Sequence, residues 1–185
     1  MHDDARRWDE RYSTVTRIDA EPPEVLQRWP HLTSLVPTSG RCVDVACGPG
    51  SVTMWMAARG LDVVALDASA VAIDLLRAAA SSAGWDDRID ARIIDLDDGL
   101  PDDLDDLDLI VCQRFRDPVL YPVVIDRLRA GGVAIITVLS TVGASEPGAF
   151  HAAPGELDVA FTNDRCEILH HNEDGGVAHV VIRRR

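Results

Sequence analysis

With 185 residues, 46% of them hydrophobic, the chain has the size of one ordinary domain and enough apolar surface for a sizeable core, and no apolar run reaches the roughly 18 residues that a membrane span needs. A formal net charge of −13 sets most of the surface against a phosphate backbone, so nucleic acid is excluded as an expected partner; all 18 basic residues are arginine, which rules out a lysine Schiff base or a P-loop lysine. The polar, acidic start MHDDARRWDE has no signal-peptide pattern, so a cytoplasmic location without membrane contact is expected.

Cys42, Cys47, Cys112 and Cys166 are too scattered for a CxxC metal pair, and reduced, mostly buried thiols are expected. In chain order, Asp3 to Ser13 and Pro22 to Val36 read as helical segments lying over the sheet's carboxyl edge. Short β-branched runs then alternate with longer helical patterns, which predicts a parallel sheet covered on both faces. The first strand, Cys42 to Ala46, turns through Gly and Pro into a helix from about Ser51 to Arg59, with Gly60 to cap it. Asp62 to Asp67 is the second strand; Val71, Leu75, Leu76 and Ala79 then mark the buried face of a helix that Gly84 ends.

Ala91 to Asp95 is a third strand, followed by an acidic loop, and Leu107 to Gln113 a fourth. A helix opened by Pro118 should run through Leu128 to a turn at Gly131-Gly132. Val133 to Leu139 is apolar enough for a strand buried on both faces. Cys166 to His171 and Val177 to Ile182 flank Asp174-Gly175-Gly176, the pattern of an antiparallel hairpin, and bring the sheet to seven strands.

The chemistry concentrates in Val43-Asp44-Val45-Ala46-Cys47-Gly48-Pro49-Gly50, an apolar strand ending in a turn whose small residues let a ligand approach the backbone. A dinucleotide turn keeps a third glycine where Thr53 stands, so this one suits a nucleoside without a pyrophosphate; the plain alternative is an ordinary strand-to-helix turn. Asp67 ends the second strand about 20 residues later, where a carboxylate can accept both ribose hydroxyls. Asp95 ends the third, with Asp97 and Asp98 beside it. An Asp after a strand also serves simply to cap the next helix, and Ser69 is itself a cap candidate.

On these residues the chain resembles the class I S-adenosylmethionine-dependent methyltransferases. Val43 to Gly50 matches their first motif, Val63 to Asp67 the second, and Arg92 to Leu96, Asp108 to Phe115 and Arg129 to Ile136 the later ones. Within the family it is most similar to the small bacterial tellurite-resistance and thiopurine type, through Trp8-Asp9-Glu10-Arg11-Tyr12, the stretch from Cys112 to Pro122, and Pro154-Gly155-Glu156-Leu157. The implied fold is α/β, a Rossmann-like doubly wound seven-stranded sheet with a C-terminal antiparallel hairpin. As one domain it would comprise a helical cap (1–40), a cofactor-binding core (41–139), and a loop, short helix and hairpin (140–185).

The resemblance implies that Asp44, Cys47, Gly48 and Gly50, with Ala46 in place of the usual first glycine, surround the methionine part of S-adenosyl-L-methionine. Asp67, with Ala68, would hold the ribose, Asp95 and Leu96 the adenine, and Gln113 would lie under the sulfonium. Trp8, Arg11 and Tyr12 would close over the site, Arg11 meeting the cofactor's carboxylate. Arg114, Phe115 and Arg116 follow the fourth strand, where the methyl would point, and with Phe150 are the candidates to contact a small-molecule acceptor; alternatively the two arginines pair with the acidic loop at 95–108.

Other constellations carry less. Asp95-x-Asp97-Asp98-Gly99 lacks the later ligands of a calcium loop, His170 and His171 are adjacent on a strand and face opposite sides, and no G-x-S-x-G elbow occurs, so neither a metal nor a hydrolase site is expected. The loop Ser140 to Ala153 reads as a mobile lid. In-line methyl transfer needs chiefly positioning; a thiolate or similar soft anion needs no base, whereas a hydroxyl would need Asp117, Glu146 or His151. Two rival readings stand: a methyltransferase-like binding module that has lost turnover, which Ala46 supports, and a nicotinamide oxidoreductase, which Thr53 and the hairpin oppose. The acceptor and the oligomeric state are not encoded in these motifs.

Overall fold

Seven strands form one sheet in the order β3-β2-β1-β4-β5-β7-β6. The computed structural model describes residues 2–185, with side-chain environments from Ala5 onward. The strands are β1 (Arg41–Val45), β2 (Asp62–Asp67), β3 (Ile89–Ile93), β4 (Leu107–Gln113), β5 (Leu128–Leu139), β6 (Cys166–Asp174) and β7 (Val177–Arg184). The first five run parallel, and β7 enters antiparallel between β5 and β6. The helices are α1 (His2–Tyr12), α2 (Glu24–Arg28), α3 (Ser51–Ala58), α4 (Ala70–Ala83), α5 (Leu120–Arg127) and α6 (Glu156–Phe161). Among the described residues no helix is long and apolar enough to cross a membrane.

Alternate strand residues face opposite sides, so the near-continuous apolar runs feed two cores. Val43, Val45, Ile110 and Ile136 pack with Ile125, Leu157 and Phe161 on one face; Cys42, Val63, Leu109 and Ile135 pack with Val25, Met56, Ile73 and Leu76 on the other. The sheet changes direction between β1 and β4, where the chain leaves one side for the other. Their carboxyl ends therefore open the crevice in which folds of this layout place ligands.

Several boundaries differ from the sequence reading. β3 lies two residues earlier than expected, because Ile89 and Ala91 pair with Val63 and Ala65, which leaves Ile94 and Asp95 as connector. In α4 the buried residues are Ala72, Ile73, Leu76 and Ala80, not the stripe expected through Val71, Leu75 and Ala79; small alanines seat the helix close to the sheet, which size-blind periodicity misses. Helix α5 stops at Arg127. Leu128 already pairs with Leu107, and Gly131-Gly132 lies inside β5, in an excursion before Val133 pairs with Leu109. The segment 22–36 is broken into α2 and a 3-10 turn, Pro30–Leu35.

The hairpin forms as expected: Asp174 pairs with Val177 across Gly175 and Gly176, whose φ angles of 59° and 85° are what a two-residue turn of the primed type requires. The loop after β5 is tied more firmly than a mobile lid. Ala152 N–H donates to Leu139, Thr141 N–H to Ala152, and Gly176 N–H to Val142. All four cysteines are free thiols.

Two glycines test the turn geometry. At Gly50 (φ 96°) an added Cβ would meet Leu76 Cδ1 at 2.4 Å, whereas at Gly84 (φ 71°) nothing lies within 4 Å. Gly50→Ala should cost about 3 kcal/mol from backbone strain plus overpacking, and Gly84→Ala about 1 kcal/mol from strain alone, measured by urea unfolding.

Candidate functional site at the carboxyl edge

The turn after β1 is built from left-handed backbone. Ala46, Gly48 and Gly50 have φ of 54°, 53° and 96°. Cys47 N–H donates to Leu66 O at 3.0 Å, binding the turn to β2. Ala46 adopts a left-handed conformation that favours glycine, at a strain of about 1–2 kcal/mol. Its methyl packs against the apolar core on the α5 side.

Three carboxylates follow one another along this edge. Asp44, near the end of β1, is 1% exposed, and Thr53 Oγ1 donates to it at 2.6 Å. Burial raises its carboxyl to about 7; the Thr53 bond opposes the shift and the charge of Asp67 adds to it. Thr53, notable in the sequence only as a missing glycine, is therefore the buried partner of Asp44. Asp67 accepts Gly48 N–H through one oxygen and Ser69 N–H through the other, both at 2.8 Å. Burial also raises Asp67, against those two bonds. Asp95 accepts Asp97 N–H at 3.1 Å and so caps the 3-10 turn Leu96–Asp98, while the Leu96 side chain is buried in the core.

Helix α1 covers this edge. Trp8 and Tyr12, one turn apart, stack with centroids 5.6 Å apart, and the Tyr12 hydroxyl lies against the bare face of Gly48, where a Cβ would come within 3.0 Å. Desolvation, then Asp67, raises the Tyr12 phenol to about 12, so it is a donor throughout the physiological range. The anchor is Asp9, which the sequence reading passed over: its carboxylate accepts Ser69 Oγ at 2.5 Å and Val71 N–H at 3.2 Å at the start of α4. Ser69 also caps α4, accepting Ala72 N–H. Arg11 is exposed, its guanidinium 5.2 Å from the Trp8 ring.

The candidate acceptor residues pair differently from either expectation. Arg114 grips Glu24 through two bonds of 3.0 and 3.2 Å. Arg116 grips Glu156 at 2.8 and 2.6 Å, and Tyr121 donates to the same carboxylate at 2.9 Å. The acidic loop instead engages Arg92, Arg127 and Arg129. Phe115 lines a 10 Å³ apolar cavity with Val45, Cys112, Tyr121 and Ile136. Phe150 is 62% exposed and lies 5.5 Å from the Arg7 guanidinium. A larger depression of 590 Å³ lies at the opposite, amino edge around Arg41, Arg77 and Arg88, away from these carboxylates.

Gln113, expected beneath the sulfonium, spends its amide on the protein: Oε1 accepts Glu24 N–H at 2.9 Å and Nε2 donates to Thr137 Oγ1 and Cys112 O. Of the proposed bases, Asp117 accepts Val119 N–H and His151 Nδ1 accepts Gly148 N–H, while Glu146 is exposed. Burial pushes the Cys47 thiol well up and that of Cys112 to about 12, so neither is a thiolate at neutral pH.

Residues 42–130 match the family model described as a methyltransferase domain. The sheet order and its terminal hairpin are the fold of class I methyltransferases. No curated protein matches its sequence. The fold is similar to that of TehB from Haemophilus influenzae, with a TM-score of 0.72 and 19% identity over 86% of this chain. That match covers 62% of TehB, so the chain spans less than two thirds of it. It is also similar to a geranyl diphosphate C-methyltransferase from Streptomyces coelicolor A3(2), with a TM-score of 0.72 and 15% identity over 100% of this chain and 97% of that one. An S-adenosylmethionine-dependent methyltransferase from Mesorhizobium loti gives 0.68 and 21% over 85% and 97%.

Two outcomes follow from the geometry. Folded Asp44 keeps its proton up to about pH 7, whereas an unfolded aspartate loses it near 3.8, so the folded state binds more protons between these values. Its contribution to stability is full below about pH 4 and is lost as pH rises to about 7; Asp44→Asn should flatten that part of a urea-derived stability profile. Asp9→Ala removes the anchor of α1, and trypsin should cut at Arg7 and Arg11 about 10-fold faster while global unfolding shifts by less than about 1 kcal/mol.

Proposed function

We propose that the chain is an S-adenosylmethionine-dependent methyltransferase acting on a small, soft nucleophile, with the donor lying across the carboxyl ends of β1, β2 and β3. The observation that carries this reading is the row Asp44, Asp67 and Asp95 around a left-handed glycine turn. The donor set fits the group: Asp44, poised to lose its proton near neutrality, suits an ammonium; Asp67 retains lone pairs for two ribose hydroxyls; Asp95 stands where an exocyclic amine would reach it. The Streptomyces relative was crystallised with S-adenosyl-L-homocysteine, in line with this assignment.

When bound, S-adenosylmethionine supplies a methyl group already activated on a sulfonium. The work left to the chain is to orient the acceptor and keep water out, and we assign the closing surface to Trp8 and Tyr12 of the cap and to Phe115 and Phe150. Cap and core then act as one unit, residues 1–40 over 41–139.

The acceptor class follows from what the site spends elsewhere. Arg114 and Arg116 are each held by a carboxylate, so neither fork is disposed to clamp an oxyanion. Asp117 and His151 are engaged with backbone N–H groups, so neither is arranged as a general base. A thiol or selenol, which ionises by itself, fits these constraints better than a hydroxyl.

The test is calorimetry with S-adenosylhomocysteine followed by turnover on an acceptor panel. Wild type should bind; Asp67→Ala should bind at least about 100-fold more weakly, since two hydrogen bonds to a charged group are worth about 3–6 kcal/mol. Turnover should be greatest with small apolar thiols and rise with pH through the thiol's own pKa. Absence of binding to the folded protein would contradict the donor site, and preferential methylation of hydroxyls the acceptor class.

A further inference from the structure

Four polar side chains form one row across the sheet. Gln113 of β4 is the register partner of Thr137 of β5, Thr137 of His179 on β7, and His179 of Asn172 on β6. The neighbouring row, Val111, Ile135 and Val181, is wholly apolar and buried. Thr137 and His179 are themselves 0% and 1% exposed, in surroundings where an unpaired polar group costs about 1–3 kcal/mol.

The bonds joining Gln113, Thr137 and His179 constrain one another in direction. Glu24 N–H can only donate, so Gln113 must present its oxygen there and its amide hydrogens to Thr137 Oγ1, at 2.9 and 3.0 Å. Thr137 has one hydroxyl hydrogen, and the amide nitrogen facing it cannot accept. Giving that hydrogen to His179 Nδ1, 3.0 Å away, uses the buried hydroxyl and leaves the ring neutral with its proton on Nε2, whereas a bond from Nδ1–H to the second lone pair of Oγ1 would take the place of that acceptor. Trp29 meets the ring edge to face at 5.6 Å. Burial pulls the imidazole below its usual pKa; the charged and titratable groups acting on it are Glu24 and Arg28 of α2 and His170 and Asp174 of β6.

The other end of the relay reaches the donor site. Residues 21–24 are a strap whose first N–H, at Glu21, donates to Ser51 O at the head of α3, and whose last, at Glu24, donates to Gln113 at the end of β4. The strap thus spans from the glycine turn to β4.

We propose that Thr137 and His179 are positioning residues for the donor site: they fix the amide of Gln113, and through it the course of the strap beside the glycine turn. The consequence for binding rests on the methyltransferase reading; the relay itself does not.

Long-range proton–nitrogen spectra of histidine-labelled protein without ligand at neutral pH decide the relay, with His179 assigned by the loss of its signal in His179→Asn. Wild type should show the Nε2–H tautomer. In Gln113→Glu a carboxylate takes both the Glu24 N–H and the Thr137 hydroxyl, so Thr137 can only accept from His179, and the ring should switch to Nδ1–H or to imidazolium. A wild-type Nδ1–H signal, or a tautomer unmoved in a folded Gln113→Glu protein, overturns the relay.

Calorimetry with S-adenosylhomocysteine reads the consequence. His179→Leu should bind about 10-fold more weakly, and His179→Asn, whose Oδ1 stands in for Nδ1, within about 3-fold of wild type; equal losses overturn the positioning role. Wild type that binds nothing overturns the methyltransferase reading and the donor-site role with it, while the spectra still decide the relay.

Discussion

Asp67 accepts one backbone N–H from the β1 turn and another from the start of α4, so a single carboxylate joins the two loops that border the crevice. The chain gives up solvation to place it there: burial raises the pKa even against two N–H donors, and Asp9 adds a second negative charge nearby. With one N–H on each oxygen and further lone pairs open, the carboxylate is matched to a ligand that brings hydroxyl donors. Everything assigned to the edge follows from that placement. The glycine turn is held open for close approach, Ser69 starts α4 in the right place, and α1 is pinned above both through Ser69.

The cap and the loop after β5 meet over this edge through aromatic and arginine contacts, with Arg7 lying beside both Trp8 and Phe150. The chain has arginine but no lysine, and the planar arginine fork is used as a clamp at three long-range joints: Arg28 with Asp174, Arg114 with Glu24 and Arg116 with Glu156. The exposed pairs Arg28–Asp174 and Arg114–Glu24 add little stability. Their value is geometric, since each joins segments more than 30 residues apart around the crevice.

Strands and turns were legible in the sequence because short-range chemistry specifies them. Asp62 to Asp67 and Leu107 to Gln113 are bounded by turn residues, and Gly175-Gly176 can hardly form anything but a tight hairpin. The buried face of α4 was not legible, because the sheet selects small Ala72 and Ala80 over the larger Leu75 for the closest approach. Nor were the partners of Arg114 and Arg116, which lie 90 and 40 residues away in sequence. Thr53 drew notice as a departure from a glycine pattern, but its bond to Asp44 crosses from α3 to β1 and is invisible to pattern reading. Asp9 had a findable signal: on a helix, positions 8, 9 and 12 lie close to one face, so the residue beside Trp8 and Tyr12 belonged with them.

In the proposed function this edge is a pocket for an adenosine bearing an amino-acid tail, with Asp67 at its centre. A crystal structure of the protein grown with S-adenosylhomocysteine tests it most directly. The ribose hydroxyls are expected on Asp67 and the amino-acid tail beside Asp44 and the Gly48 turn, beneath Trp8 and Tyr12. A structure in which Tyr12 and Trp8 themselves fill that space, with the ligand elsewhere or absent, would contradict it.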